Sequence, residues 1–161
     1  LMGFIVRPHS NLSPRHSLIN IADTGVYTVN HVTEEFYKQA HQASARYPID
    51  SSEFAEVGLE EDRVEGFGAP FVKKSPIQVG MKLVEVIDIS ANNTHLVIGE
   101  IVLIRLADGL LQKDGYIDIE AAGSLGISGL DGYHTTKQLS RLSYAKPELP
   151  VTELAINGDP K

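Results

Sequence analysis

Two β-rich runs separated by a turn constrain this chain more than any other feature. Lys82 to Ile89 sets Leu83, Glu85, Ile87 and Ile89 against Val84, Val86 and Asp88, the two-residue period of a strand. Asn92-Asn93 supplies a turn, and Thr94 to Arg105 reads as a longer strand whose Gly99 marks a bulge or a barrel bend. Shorter strands are expected at Phe67 to Lys73 and, after the turn signal Asp114-Gly115, at Tyr116 to Ile119. The pattern predicts a mainly β, antiparallel architecture with inserted α-helices, most economically a small barrel.

The helices fall early. Gly3 to Val6 is short and apolar, like the tail of a strand. Ser13 before Pro14 places an N-cap ahead of a proline at the first helical position, and Gly25 suits a left-handed C-terminus, so a helix is expected over about Pro14 to Asp23. Val26 to Val32 has strand propensity. Thr33 caps a predicted second helix running to about Ser44, with Phe36, Tyr37, Ala40 and Ala43 on one face. Ser52 caps a third through Val57, closed by Gly58. Later, Gly123, Gly126, Gly129 and Gly132 space a segment, Ala122 to Tyr133, that reads as a loop lying close to another group. Lys137 to Leu142 reads as a helix and the tail beyond Pro147 as extended.

At 161 residues the chain suits one domain, 1–161. A net charge of −7 offers no basic footprint for nucleic acid. No apolar run approaches the roughly 20 residues of a membrane-spanning helix. With no cysteine there are no disulfides, thiolate metal sites or thiol nucleophiles, which suits a reducing cytoplasm. Six histidines lack the spacing of a metal site, so no metal is expected.

The chemistry-bearing segment is Arg15-His16-Ser17 at a helix start. A cation and a hydroxyl there meet the unpaired N–H groups and the positive end of the helix dipole, which is what a phosphate needs. By itself such an arginine is more often a solvated surface charge, and such a serine a local hydrogen-bonding residue. Glu34-Glu35 and Glu60-Glu61-Asp62 read as solvated faces, and Tyr144 and Lys146 as packing. No Ser-His-Asp arrangement is apparent, and no catalytic nucleophile or general acid is assigned.

In order along the chain, RHSLINIADTGVYTVNHVTEEF, HQASARYP, SEFAEVGL, FGAPFVKKSP, THLVIGEI, LQKDGYIDI and LSYAKP resemble the flavin reductase-like family of FMN-binding split barrels. The resemblance implies a six-stranded split β-barrel with added helices, a homodimer, and FMN near the dimer interface. Family members open with two further strands and a flavin-contacting loop, so the N-terminal portion is expected to be missing here. Asn11-Leu12-Ser13-Pro14 resembles that loop but falls where the phosphate loop belongs. By resemblance, Arg15 and Ser17 grip the FMN phosphate. His16 stands where the family carries an acidic residue and either joins the phosphate when protonated or faces solvent. Asn20 ties the helix to the barrel, Asn30 ends the strand beside the flavin ring, and Ser44, Ala45 and Arg46 line that pocket. Arg46, or a backbone N–H near Ser44, is expected to stabilise the reduced ring. Tyr133 and His134 approach from the partner side, with His134 a candidate nicotinamide contact. The implied function is an FMN-dependent oxidoreductase taking hydride from NADH or NADPH and passing electrons to a small-molecule or protein acceptor. The alternative is a flavin-binding electron-transfer protein without reductase activity of its own.

Overall fold

The structure, a computed structural model, describes residues 1–7 and 15–161. Its centre is the predicted hairpin, β5 (Ile77–Ile89) and β6 (Thr94–Leu106), numbered in chain order with the elements introduced below. Asn93 carries the turn with φ 53°, a left-handed conformation that asparagine tolerates. β5 begins upstream of the alternating run because Ile77 to Met81 is buried throughout, and a strand covered on both faces shows no alternation. β1 (Met2–Val6) pairs antiparallel with β6, and β2 (Val26–Asn30) with β5, giving the order β1-β6-β5-β2. Ser13, Pro14 and the Asn11–Pro14 resemblance lie outside the described residues.

Gly99 does what its position predicts. Leu83 faces Gly99, the next pair is Glu85 with Ile98, and Val84 is left over as a bulge. Tyr27 lays its phenol across this point, and a Cβ on Gly99 would overlap the Tyr27 oxygen. The ring also meets Phe4 edge-on at 5.5 Å. Around it gather Val6, Ile21, Ile77, Val79, Met81, Val97, Leu110 and Ala122, the main core.

Thr28, Asn30, Gln78 and Gly80 alternate with these core residues and so face the other way. That side is covered by 60–75, which contains the two-residue strands β3 (Glu61–Asp62) and β4 (Phe71–Val72). Phe67 and Phe71 pack at 5.4 Å, and Arg105 lies 5.4 Å over the Phe71 ring while pairing with Asp62 at 2.7 Å. Phe67 fits because Gly80 carries no side chain: a Cβ there would sit 3.1 Å from the ring. The expected strand over Phe67 to Lys73 is thus reduced to Phe71–Val72, since Gly68 and Pro70 interrupt it. Tyr116 to Ile119 likewise contributes only one bridge, Leu111 with Ile117.

α1 spans His16–Thr24 and ends as predicted at Gly25, φ 69°, whose N–H donates to Ile21 O at 2.9 Å. α3 (Glu53–Val57) lies between Ser52 and Gly58 as read. The second helix is shorter: α2 is Tyr37–Gln42. Thr33 cannot open it, because Thr33 bridges Ser124 and Leu125 N–H donates to Val32 O at 2.9 Å, holding the chain extended. The glycine-rich segment forms a hairpin, β7 (Leu125–Ser128) and β8 (Gly132–Thr135). Lys137 to Leu142 is not helical. Arg141–Leu142 is β9, paired with β10 (Glu153–Leu154), and the Arg141 guanidinium sits 4.0 Å over Tyr116 while bonding Asp114 at 2.5 Å. Leu139, 96% exposed, gives a helix there nothing to bury.

Two consequences are measurable. The Tyr27 hydroxyl is buried without a hydrogen-bond partner among the described residues, a cost that phenylalanine does not incur. Tyr27→Phe should therefore raise unfolding stability by about 1 kcal/mol in urea titrations. His31 is half-buried and shares a 2.8 Å hydrogen bond with the buried Ser124, and burial lowers its pKa below the ordinary value of 6.5. The unfolded chain then binds more protons near and below pH 6.5, so stability falls as pH drops through that range. The urea midpoint should fall from pH 7 to pH 5 in the unmodified protein and fall less in His31→Gln.

Candidate functional site

Three stretches far apart in sequence meet at the N-terminal end of α1. Arg15, His16 and Ser17 lie there, and 43–47, the chain leaving α2, folds against them with Glu53 at the start of α3. Together they enclose a cavity of about 260 Å³ lined by Arg15, His16, Ser17, Ser44, Ala45, Arg46, Tyr47 and Glu53. The segment turns here because Ser44 caps α2 from beyond its end, its hydroxyl donating to His41 O at 2.7 Å. Arg15 is oriented by its Nε, which donates to Arg7 O at 3.2 Å. Two arginines, a histidine and three hydroxyl residues, Ser17, Ser44 and Tyr47, around one small cavity with a single carboxylate make an anion-binding chemistry.

Ser17 also belongs to a second space. Beyond it opens a groove of about 750 Å³ between α1, β2, Phe4 of β1 and the segment 68–70. Ser17, Asn20, Ile21 and Thr24 present one helical face to it, a 3, 4, 7 spacing readable in the sequence. The opposite wall is fixed by polar ties. Thr28 Oγ1 donates to Pro70 O at 2.7 Å, Asn30 Nδ2 donates to Thr28 Oγ1 at 3.0 Å, and Asn30 Oδ1 accepts from Val72 N–H at 3.0 Å. Arg63 stands in this groove, its Nε and Nη2 both donating to Glu61 Oε2.

The structure thus brings Arg15, His16, Ser17, Ser44, Ala45 and Arg46 into one cavity. Asn30 lines the groove, where its amide positions the wall. Asn20 faces the groove too, while Ile21 makes α1's buried contact. Tyr133 and His134 line neither space. Tyr133 rests on α2, its hydroxyl 3.1 Å from His41 Nδ1 and its ring 5.3 Å from Tyr37, and His134 Nε2 shares a hydrogen bond with Ser128 at 2.8 Å. Sequence reasoning missed Tyr47, Glu53 and Arg63. Tyr47 and Arg63 stand in irregular segments outside any periodic pattern, and Glu53 opens α3 with nothing in the sequence to mark it as facing the cavity.

The model of the flavin reductase like domain matches residues 1–121. A split-barrel-domain protein of Shewanella frigidimarina NCIMB 400, assigned as a flavin reductase, is 49% identical in sequence. It superposes with a TM-score of 0.83 over 89% of this chain and 70% of its own. Nitrilotriacetate monooxygenase component B of Bacillus cereus superposes with a TM-score of 0.75 at 21% identity, over 87% of this chain and 70% of its own, a likeness of fold. An uncharacterised protein of Halalkalibacterium halodurans is 30% identical over 125 residues, 75% of this chain and 59% of its own length. One of Aquifex aeolicus is 26% identical over 110 residues, 68% of this chain and 55% of its own. The chain therefore spans between half and three-fifths of those two relatives. A family match running from β1 past the β5–β6 hairpin, on an antiparallel sheet shared with the Shewanella protein, decides the matter: this chain belongs to the flavin reductase like domain family and has its split-barrel fold.

Proposed function

We propose that the protein binds FMN and acts as an oxidoreductase, accepting hydride from NADH or NADPH and passing electrons to a second acceptor. One observation carries the reading: Ser17 lines both the cationic cavity and the large, mostly apolar groove. A ligand spanning the two needs an anionic head, a short polar neck and a broad apolar body, and FMN has all three.

In this reading Arg15 and Arg46 neutralise the phosphate, and Ser17 donates a hydroxyl hydrogen bond to it, while Ser44, whose hydroxyl is committed to His41 O, shapes the cavity wall. His16, at the first position of α1, strengthens this grip when protonated. The walls formed by Phe4, Val26, Val29 and Phe54 exclude water from the ring. Bound FMN supplies the hydride and electron-transfer chemistry, so the chain needs no nucleophile of its own. Membership of the flavin reductase like family supports the oxidoreductase assignment.

The reading includes a homodimer, supported by exposed apolar side chains on the sheet. Ile5 and Ile87, in one cross-strand row through Leu96, and Val102 on β6 are each between 39% and 49% exposed, and a second copy would cover them. His134 joins the site only across such an interface.

Arg15→Ala removes one charged hydrogen-bond donor, worth about 1.5–3 kcal/mol. It should weaken FMN binding roughly ten- to a hundredfold in a fluorescence titration. A yellow protein that bleaches on anaerobic addition of NADH or NADPH supports the reductase. One that holds flavin but ignores both nicotinamides is an electron-transfer flavoprotein, and one that FMN cannot reconstitute overturns the reading. Val102→Glu should convert a dimer to monomer in sedimentation velocity.

A further inference from the structure

Among the described residues lining the large groove, Arg63 alone carries a charge. Arg15 and Arg46 line the separate cationic cavity. Arg63 is held in place, since Nε and Nη2 donate to the same Glu61 oxygen at 3.0 and 2.7 Å, which leaves Nη1 outside the pair. Glu61 in turn is anchored, as β3 pairs with β4 and β4 is tied to β2 through Asn30. Arg63 follows β3 directly, its side chain is 62% exposed where it meets the groove, and its charge is partly neutralised by the Glu61 carboxylate.

We propose that Arg63, rather than Arg46, sets the reduction potential of the flavin in this groove, and that Glu61 limits its effect. The proposal rests on the FMN reading above. A neutral isoalloxazine ring that takes up a hydride, two electrons and one proton, from a nicotinamide gains one negative charge, while the nicotinamide becomes its oxidised cation. A fixed cation in the same groove favours the reduced ring over the oxidised one. Arg46, beside the phosphate, meets a charge that does not change between the two forms. Arg63 thus acts on the difference between the two states, and Arg46 on their common affinity.

The test compares the midpoint potential of FMN bound to the unmodified protein with that of Arg63→Gln, Arg63→Lys, Glu61→Gln and Arg46→Ala. FMN affinity is measured alongside. Arg63→Gln should reduce the ratio of affinities for reduced over oxidised FMN about tenfold, which for a two-electron couple lowers the potential by about 30 mV. Glu61→Gln should move it upward. Arg63→Lys should stay within threefold of the unmodified ratio, and Arg46→Ala should weaken both forms alike. An unmodified protein that binds no FMN overturns the flavin reading and this proposal together. FMN bound at an unchanged potential in Arg63→Gln overturns this proposal alone. So does a lysine variant that falls as far as the glutamine one, or a Glu61→Gln shift downward, because either shows that the charge is not what matters.

Discussion

The fold depends on one missing side chain. At Gly99 the long hairpin kinks, Val84 is squeezed out of register, and the Tyr27 phenol crosses the strand where any Cβ would stand. That crossing lets β2 lie against β5 with Tyr27 and Val29 turned into the core and Thr28 and Asn30 turned out. The outward pair, itself joined by a hydrogen bond, then holds the 68–72 segment by two more. A groove wall is thus set by a backbone kink on a strand that takes no part in the groove.

The two spaces at the site differ in how they are made. The groove is a gap between regular elements, and its walls are held by ties that persist without ligand. The cationic cavity is assembled from a helix start and the exit of a short helix, and it concentrates Arg15, His16 and Arg46 around a lone carboxylate, Glu53. Gathering like charges costs free energy in the empty protein. On the proposed reading, a bound phosphate would offset that crowding of charge.

Much of this was legible in the sequence where a physical period or a cap operated. The β5–β6 hairpin, the bulge at Gly99 and the left-handed ends at Gly25 and Gly58 follow from local rules, and the structure has each of them. The errors fall where distant pairing overrides local preference. Thr33 is a good helix cap, yet a bridge to Ser124 holds it extended. Lys137 to Leu142 has helical composition, yet Arg141 is held at Asp114 and Tyr116 and the chain pairs with Glu153–Leu154. The same limit applies at the site. Ser44 to Arg46 were reached by resemblance and sit with Arg15, whereas Arg63 and Glu53 had no local signal to announce them.

The outermost pairing has a consequence for how the molecule comes to exist. Met2 faces Gly99, so β1 leaves the ribosome well before its partner, which is made roughly a hundred residues later, several seconds at ordinary rates of synthesis. In that interval Phe4 and Ile5 lack their sheet partners, Val97 and Leu96. The β5–β6 hairpin needs only local contacts and can form as soon as it is made, and it then offers an edge each to β2 and β1. The side of the groove bearing Phe4 is accordingly built only once the hairpin stands.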